Sequence, residues 1–264
     1  MSTIGIIGAG NMGFALAAGL KRNDPERSVA LFDVDSAKSK LAAEESGAES
    51  LATAEELIRR SDIVVVAIKP QHLGPFFRDN GTFTKGKKVI SIVAGKPIEL
   101  FRRELNTELV IRFMPNLAAT VSASVVGIAC PEDADEDFRN EAHVIAEALG
   151  TAVPLPEELI PAVTGLSGSG IAYVFAFLHA MALGGTQAGI PYDTSLEIAE
   201  QTVQGALEVL RDRQSTPGEM LTRVASAGGT TIEGIRALEE GGLTPAVMDA
   251  VMRAKNRAVE LEGE

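Results

Sequence analysis

The sequence predicts an α/β chain in two parts, a doubly wound parallel sheet followed by an all-helical domain. Three observations carry this. Short apolar runs alternate with stretches of helical periodicity over residues 1–156. One run, Asp62–Ile68, is almost continuously β-branched, as a strand buried on both faces must be. Beyond residue 156 the strand signal disappears and only helical spacing remains. The domains are therefore placed at 1–156 and 157–264.

The elements follow in order. Thr3–Gly8 reads as a strand. Asn11–Arg22 reads as a helix with Phe14, Ala17 and Ala18 on one face, and Ser28–Asp33 as the next strand. Ser36–Ser46 and Thr53–Arg60 read as helices, the second capped by Thr53 with Glu56 three residues on. Lys88–Val93 and Leu109–Met114 are strands with helix Pro97–Leu105 between them. Ser124–Ala129, helix Asp135–Leu149 and a short strand near Ala152 complete the unit. Then come helices over Leu159–Gly189, Asp193–Asp212 with Asp193 as N-cap, and Pro245–Glu262 behind Thr244, plus one from about Ile232. Ala199, Val203, Ala206, Leu207 and Leu210 form one apolar stripe, and Val247, Val251, Ala254, Ala258 and Leu261 another.

Bulk composition narrows the function class. Of 264 residues, 45% are hydrophobic, and the formal charge of −12 argues against nucleic acid and anionic membranes as partners. The single cysteine, Cys130, closes the apolar run Val125–Cys130 and reads as an inert core thiol in a reducing compartment. His72, His143 and His179 are not at metal-ligand spacing, so no metal site is expected. The first strand starts too soon after Met1 for a leader peptide. From Leu159 to Tyr192 there is no Asp, Glu, Lys or Arg, yet its solidly apolar part, Ile171–Leu183, falls short of the roughly 20 residues that span a bilayer. A fully buried helix in a cytoplasmic protein is expected, and a helix apolar on every side points to a partner subunit as its cover.

Gly8-Ala9-Gly10-Asn11-Met12-Gly13 follows a strand and opens a helix, the context that turns a G-x-G-x-x-G match into a Rossmann dinucleotide site. Gly8 allows the tight turn, Gly10 lets the pyrophosphate approach, and Gly13 lets helix and strand pack. Asp33 stands 20 residues after Gly13, where a carboxylate bonds a ribose 2′-OH and repels a 2′-phosphate. The cofactor is therefore NAD(P)H with a lean to NADH, moderated by Lys38 and Lys40, and Asp35 is the alternative carboxylate. The loops Ala67–Gln71 and Val93–Gly95 follow later strands and are placed on the cleft, with Lys69 in reach of cofactor or substrate. Further on, Gly228, Gly229 and the hydroxyls of Ser226, Thr230 and Thr231 precede a helix. They read either as an anion pocket suited to a carboxylate or as an ordinary capped helix start.

Six segments, in order and spacing, resemble the pyrroline-5-carboxylate reductase family. They are Gly8–Gly13, Ala67–Gln71, Ser91–Gly95, Met114–Asn116, Leu166–Tyr173 and Ala225–Ile232. The resemblance implies an enzyme that reduces the ring imine of 1-pyrroline-5-carboxylate to L-proline, the last step of proline synthesis. It implies a homodimer through interlocked helical domains, often built into a decamer. It also implies that Ser226, Gly228, Gly229 and Thr231 hold the substrate carboxylate, with the Thr231 hydroxyl near the ring nitrogen as the catalytic group. Ala67, Ile68, Lys69, Pro70 and Ala94 would line the cofactor side. The chain departs from the family at Ile171, Ala227 and Leu117-Ala118, where the family carries proline or Thr-Pro, which implies looser loops.

Two other readings stand beside this one. A 3-hydroxyacid dehydrogenase shares the glycine-rich start but needs a helix lysine for proton transfer, and Gly168–Val174 has none. A non-catalytic NAD(H)-binding protein would need only residues 4–33. No His, Glu or Lys stands out as a dedicated acid, so a protonated imine, Thr231 or a water is expected to supply the proton.

Overall fold

The structure, a computed structural model, describes residues 2–211 and 214–263. The sheet-bearing part runs β1 (Ile4–Ile7), α1 (Asn11–Asn23), β2 (Val29–Phe32), α2 (Ser36–Ser46), β3 (Glu49–Ser50), α3 (Ala54–Arg60) and β4 (Ile63–Val66). It continues through α4 (Leu73–Asn80), β5 (Lys88–Ser91), α5 (Ile98–Leu105), β6 (Val110–Met114), β7 (Ser124–Ala129), α6 (Glu136–Glu147) and β8 (Gly150–Pro154). The eight strands lie in the order β3-β2-β1-β4-β5-β6-β7-β8. Order reverses between β1 and β4, the crevice where such sheets hold ligands. Alternate residues of β4 bury on opposite faces. Ile63 and Val65 join the cluster around Leu16 and Phe138, and Val64 and Val66 join the one around Leu57 and Phe101. That two-sided burial is why β4 reads as an unbroken β-branched run.

The sheet is parallel as expected except at one pair. β6 and β7 are antiparallel, and β8 follows β7 in parallel. The link from Pro115 to Ala123 holds only a 3-10 turn, Leu117–Val121. A parallel crossover needs about a dozen residues or more, so this connection can only turn the chain back. Two elements carried no readable signal. β3 is a two-residue edge strand. α4 includes Gly74-Pro75, but the proline sits in the first turn, where it costs no hydrogen bond, and Phe76 and Phe77 bury.

The helical part contains α7 (Ile160–Val163), a π-turn at Thr164–Gly168, α8 (Gly170–Gln187), α9 (Tyr192–Val209), α10 (Pro217–Val224), α11 (Thr230–Glu240) and α12 (Leu243–Gly263). The single helix expected over Leu159–Gly189 is thus interrupted by the π-turn. Counted together with its turns, Glu157–Gln187 is long and apolar enough to cross a membrane by length and composition. Its expected burial is not met within one chain alone. Within one chain Ala182 is the buried residue of α8, while Phe175 is 55% exposed and Leu183 51%. The α9 stripe is likewise open, with Ala199 buried and Leu207 exposed. Two expected caps are displaced by a residue or two. Pro191 precedes α9, which puts Asp193 in its first turn, and Thr244 lies inside α12, its hydroxyl bonded to Glu239. Asp212 lies outside the described residues. Thr53 does cap α3, its hydroxyl accepting the Glu56 N–H at 3.1 Å.

Packing groups the chain into two compact units. One compact unit is Met1–Ser169 with Met252–Glu264, and the other is Gly170–Val251. The first is tied by Arg112 of β6, whose side chain is 3% exposed and pairs with Glu157 at 3.1 Å and Glu262 at 2.7 Å. Glu157 also accepts the Ile98 N–H at 2.8 Å. Leu261 backs the turn after β5, where a Cβ on Gly95 would stand 3.2 Å from the Leu261 Cβ.

Candidate functional site

The glycine-rich turn is built by steric necessity. Gly8 has φ +105°, and a Cβ there would lie 2.6 Å from the Ala67 carbonyl oxygen. A Cβ on Gly13 would lie 1.9 Å from the Gly8 oxygen, so α1 can rest on β1 only without one. Gly10 differs, because a Cβ there would meet only the Lys38 Nζ, at 3.8 Å. Its face is open. α1 begins at Asn11 with no side-chain cap, leaving its first N–H groups and positive dipole end for an anion.

Asp33 is held rigidly beside this turn. One carboxylate oxygen accepts the Ala9 N–H at 2.8 Å and the other the Asp35 N–H at 3.0 Å. Asp35, the alternative, caps α2 by accepting from Ala37 and Lys38, both at 3.1 Å, and is committed there. A cavity of about 490 Å³ opens in front, lined by Gly8, Gly10, Asp33, Ala67, Ile68 and Lys69 among others. The structure therefore brings the glycine-rich turn, Asp33 and the start of the 67–71 loop together. Ala9 and Asn11 border a smaller adjoining recess. Met12 packs against the core beneath, and neither Pro70 nor Ala94 lines the cavity.

Sequence reasoning missed Val34, Ala54, His72 and Phe76 on the cavity wall. Phe76 belongs to the unpredicted α4, whose Gly-Pro start hid it. Val34 is 94% exposed, an apolar residue at the cavity mouth with no partner in the core to give it a period.

The predicted anion pocket lies in the other compact unit. Gly228 has φ +66°, a left-handed turn that a side chain would strain. The chain then folds so closely that a Cβ on Gly229 would stand 2.2 Å from the Ser226 hydroxyl. α11 starts at Thr230 behind Gly229, again with no side-chain cap. Ser226, Thr230 and Thr231 thus stand at the start of a helix whose N-cap is Gly229 and which no hydroxyl caps, leaving its first N–H groups without a side-chain acceptor. Among the described residues the Thr231 hydroxyl has no hydrogen-bond partner.

Cys130 is half-buried against the main core, and burial pushes its thiol above the usual range, with nearby Arg139 opposing. It is expected to react with iodoacetamide at pH 7.5 several-fold more slowly than free cysteine. Reaction as fast as the free thiol would contradict its inert role.

Comparison with known proteins gives concordant results. Residues 157–261 match a family model described as pyrroline-5-carboxylate reductase dimerisation, and residues 3–95 match one described as NADP oxidoreductase, coenzyme F420-dependent. A pyrroline-5-carboxylate reductase of Methanosarcina acetivorans is 41% identical over 98% of this chain and 97% of its own. The Aquifex aeolicus enzyme of that name is 35% identical over 98% and 97%. The solved structure of a pyrroline-5-carboxylate reductase from Coxiella burnetii superposes with TM-score 0.92 at 30% identity, covering 98% of both chains.

Proposed function

The chain belongs to the pyrroline-5-carboxylate reductase family, and from that premise we propose how its own residues reduce 1-pyrroline-5-carboxylate to L-proline with NAD(P)H. The observation that supports the residue roles best is the pair of bare helix N-termini. One, at Asn11, lies behind a glycine-rich turn, and the other, at Thr230, is ringed by hydroxyls.

The residues of Gly8–Gly13 hold the cofactor pyrophosphate, and Asp33 accepts from the adenosine ribose, which favours NADH. The cavity walls at Ala67–Lys69 fix the adjoining part of the cofactor, with Pro70 and Ala94 in the same two loops outside the cavity. When bound, the reduced nicotinamide supplies a hydride to the imine carbon. Ser226, Gly228, Gly229 and Thr230 receive the substrate carboxylate at the N-terminus of α11, where backbone N–H groups and the dipole favour negative charge. Thr231 holds the ring nitrogen, which carries one proton more in the amine product than in the neutral imine. Substrate bound as the iminium already carries it; otherwise the Thr231 hydroxyl, refilled from water, delivers it.

The apolar faces of α8, α9 and α12 are covered by a second copy of the chain, giving a homodimer through the helical residues 157–264, with dimers assembling further into a decamer. This accounts for the length and apolarity of Glu157–Gln187 without a bilayer. The protein works in the cytoplasm on a small cyclic imine carboxylate, with neither nucleic acid nor membrane as partner.

The deciding assay follows NADH and NADPH absorbance as pyrroline-5-carboxylate is added. Oxidation of both is expected, with higher kcat/KM for NADH; no oxidation of either would defeat the reading. Thr231→Ala is expected to lower kcat by about 10²-fold, within the range for a positioned proton donor, while the KM of the cofactor changes little. Unchanged kinetics would remove Thr231 from the site.

A further inference from the structure

The cavity in front of Asp33 accounts for the adenosine half of a dinucleotide and leaves the nicotinamide half without assigned residues. Its direction is set by topology. Asp33 stands past β2, so a cofactor crossing the reversal between β1 and β4 runs on over the ends of β4, β5 and β6. At the end of β6 stands Asn116, which is bonded on three sides. Its backbone N–H donates to the Ser124 hydroxyl at 2.9 Å, and its side-chain oxygen accepts the Ala118 N–H at 3.0 Å. That second bond fixes which way the amide faces, so its NH₂ group points at Ser167 and donates to the hydroxyl at 2.9 Å.

Ser167 belongs to the π-turn Thr164–Gly168, closed by the Ser169 N–H on the Thr164 carbonyl at 2.8 Å. Such turns are rare and gather at functional sites. This one is seated on the end of β6, where a Cβ on Gly168 would stand 3.1 Å from the Met114 Cε. Ser167 accepts from Asn116 and donates to no group among the described residues, so its own hydrogen is left for a ligand, and the residue is only partly buried.

We propose that Ser167 donates to the carboxamide oxygen of the nicotinamide, and that Asn116 is a positioning residue that aims it. The proposal rests on the dinucleotide reading of Gly8–Gly13. It adds a subsite that senses the redox end of the cofactor and is indifferent to the adenosine end.

The test compares NADH with ADP-ribose, which lacks the nicotinamide, by calorimetry on the full chain without imine. Ser167→Ala is expected to raise the Kd of NADH about tenfold, the equivalent of one hydrogen bond, and to leave ADP-ribose unchanged. Ser167→Thr, which keeps the hydroxyl, is expected to restore NADH binding. Asn116→Asp retains the bond to Ala118 but draws the Ser167 hydrogen onto its carboxylate, so it should behave like Ser167→Ala. Unaltered NADH affinity in Ser167→Ala overturns the proposal. So does parallel loss of both ligands, which would mark a purely structural role. Failure of the unsubstituted chain to bind either ligand would instead defeat the dinucleotide reading itself.

Discussion

Replacing Arg112 with Met is expected to destabilise the protein by about 3 kcal/mol, near the lower end of what removing one partner from a buried ion pair costs. The guanidinium is almost fully enclosed and faces two carboxylates, while Glu157 and Glu262 keep 33% and 25% of their side chains exposed. Water can therefore relieve the stranded acids, which places the effect below that of a wholly buried pair. Met preserves most of the stem packing, so the loss reports the charges rather than a void. For a chain of this size the midpoint of thermal unfolding should fall by about 6–12 °C. Adding Glu262→Leu to Arg112→Met should recover part of the loss, because an apolar replacement of a whole buried pair is often close to neutral. An unchanged midpoint in Arg112→Met would show that the network contributes no net stability, and no recovery in the double variant would show that the loss does not come from the stranded Glu262.

Gly13→Ala and Gly10→Ala are expected to separate two meanings of glycine in one motif. At Gly13 the new methyl group would sit 1.9 Å from the Gly8 oxygen, and the obstacle is backbone that cannot swing aside. α1 must lift from β1, straining the core by about 1–3 kcal/mol. The same displacement moves the N–H groups of α1 from the phosphate, so thermal stability and NAD(P)H affinity should fall together. At Gly10 the methyl meets only the mobile tip of Lys38. Stability should stay within about 0.5 kcal/mol of the unsubstituted chain, as at other uncrowded surface positions. NADH affinity should nevertheless drop about tenfold or more, since the pyrophosphate needs that space. Thermal melts with and without NADH check both. Equal melting losses in the two variants would contradict the assignment of Gly10 to the ligand and Gly13 to packing.

How legible each part was depends on whether its cause is local. β4 was readable because burial on both faces forces every residue of Ile63–Val66 to be apolar. The glycine-rich turn was readable because Gly8 and Gly13 exclude a Cβ and Gly10 between them leaves an open face, all at fixed spacing. The reversal at β7 was not, since strand direction is decided by the length and shape of the connection rather than by Ser124–Ala129 itself. Arg112 looked like any strand residue. Its partners lie 45 and 150 residues away, a distance over which no periodicity carries information. The openness of α8 shows the opposite case. Its composition announced the need for cover and pointed to a partner subunit, but could not say which of its residues one chain leaves open. Of the candidate site, the backbone-determined pieces at Gly8, Gly13, Gly228 and Gly229 were visible, whereas Phe76 and the clamp of Asn116 on Ser167 depend on elements meeting in space.

The return of Met252–Glu264 to the first compact unit has a consequence for birth on the ribosome. Arg112 emerges 150 residues before Glu262, a delay of about 8–30 seconds at ordinary elongation rates. During that interval the nascent sheet carries a cation whose second counter-charge has not been translated. The N-terminal unit therefore matures last as well as first, and a nonsense codon in the last helix at or before Glu262 leaves an unfinished interior rather than a shortened tail.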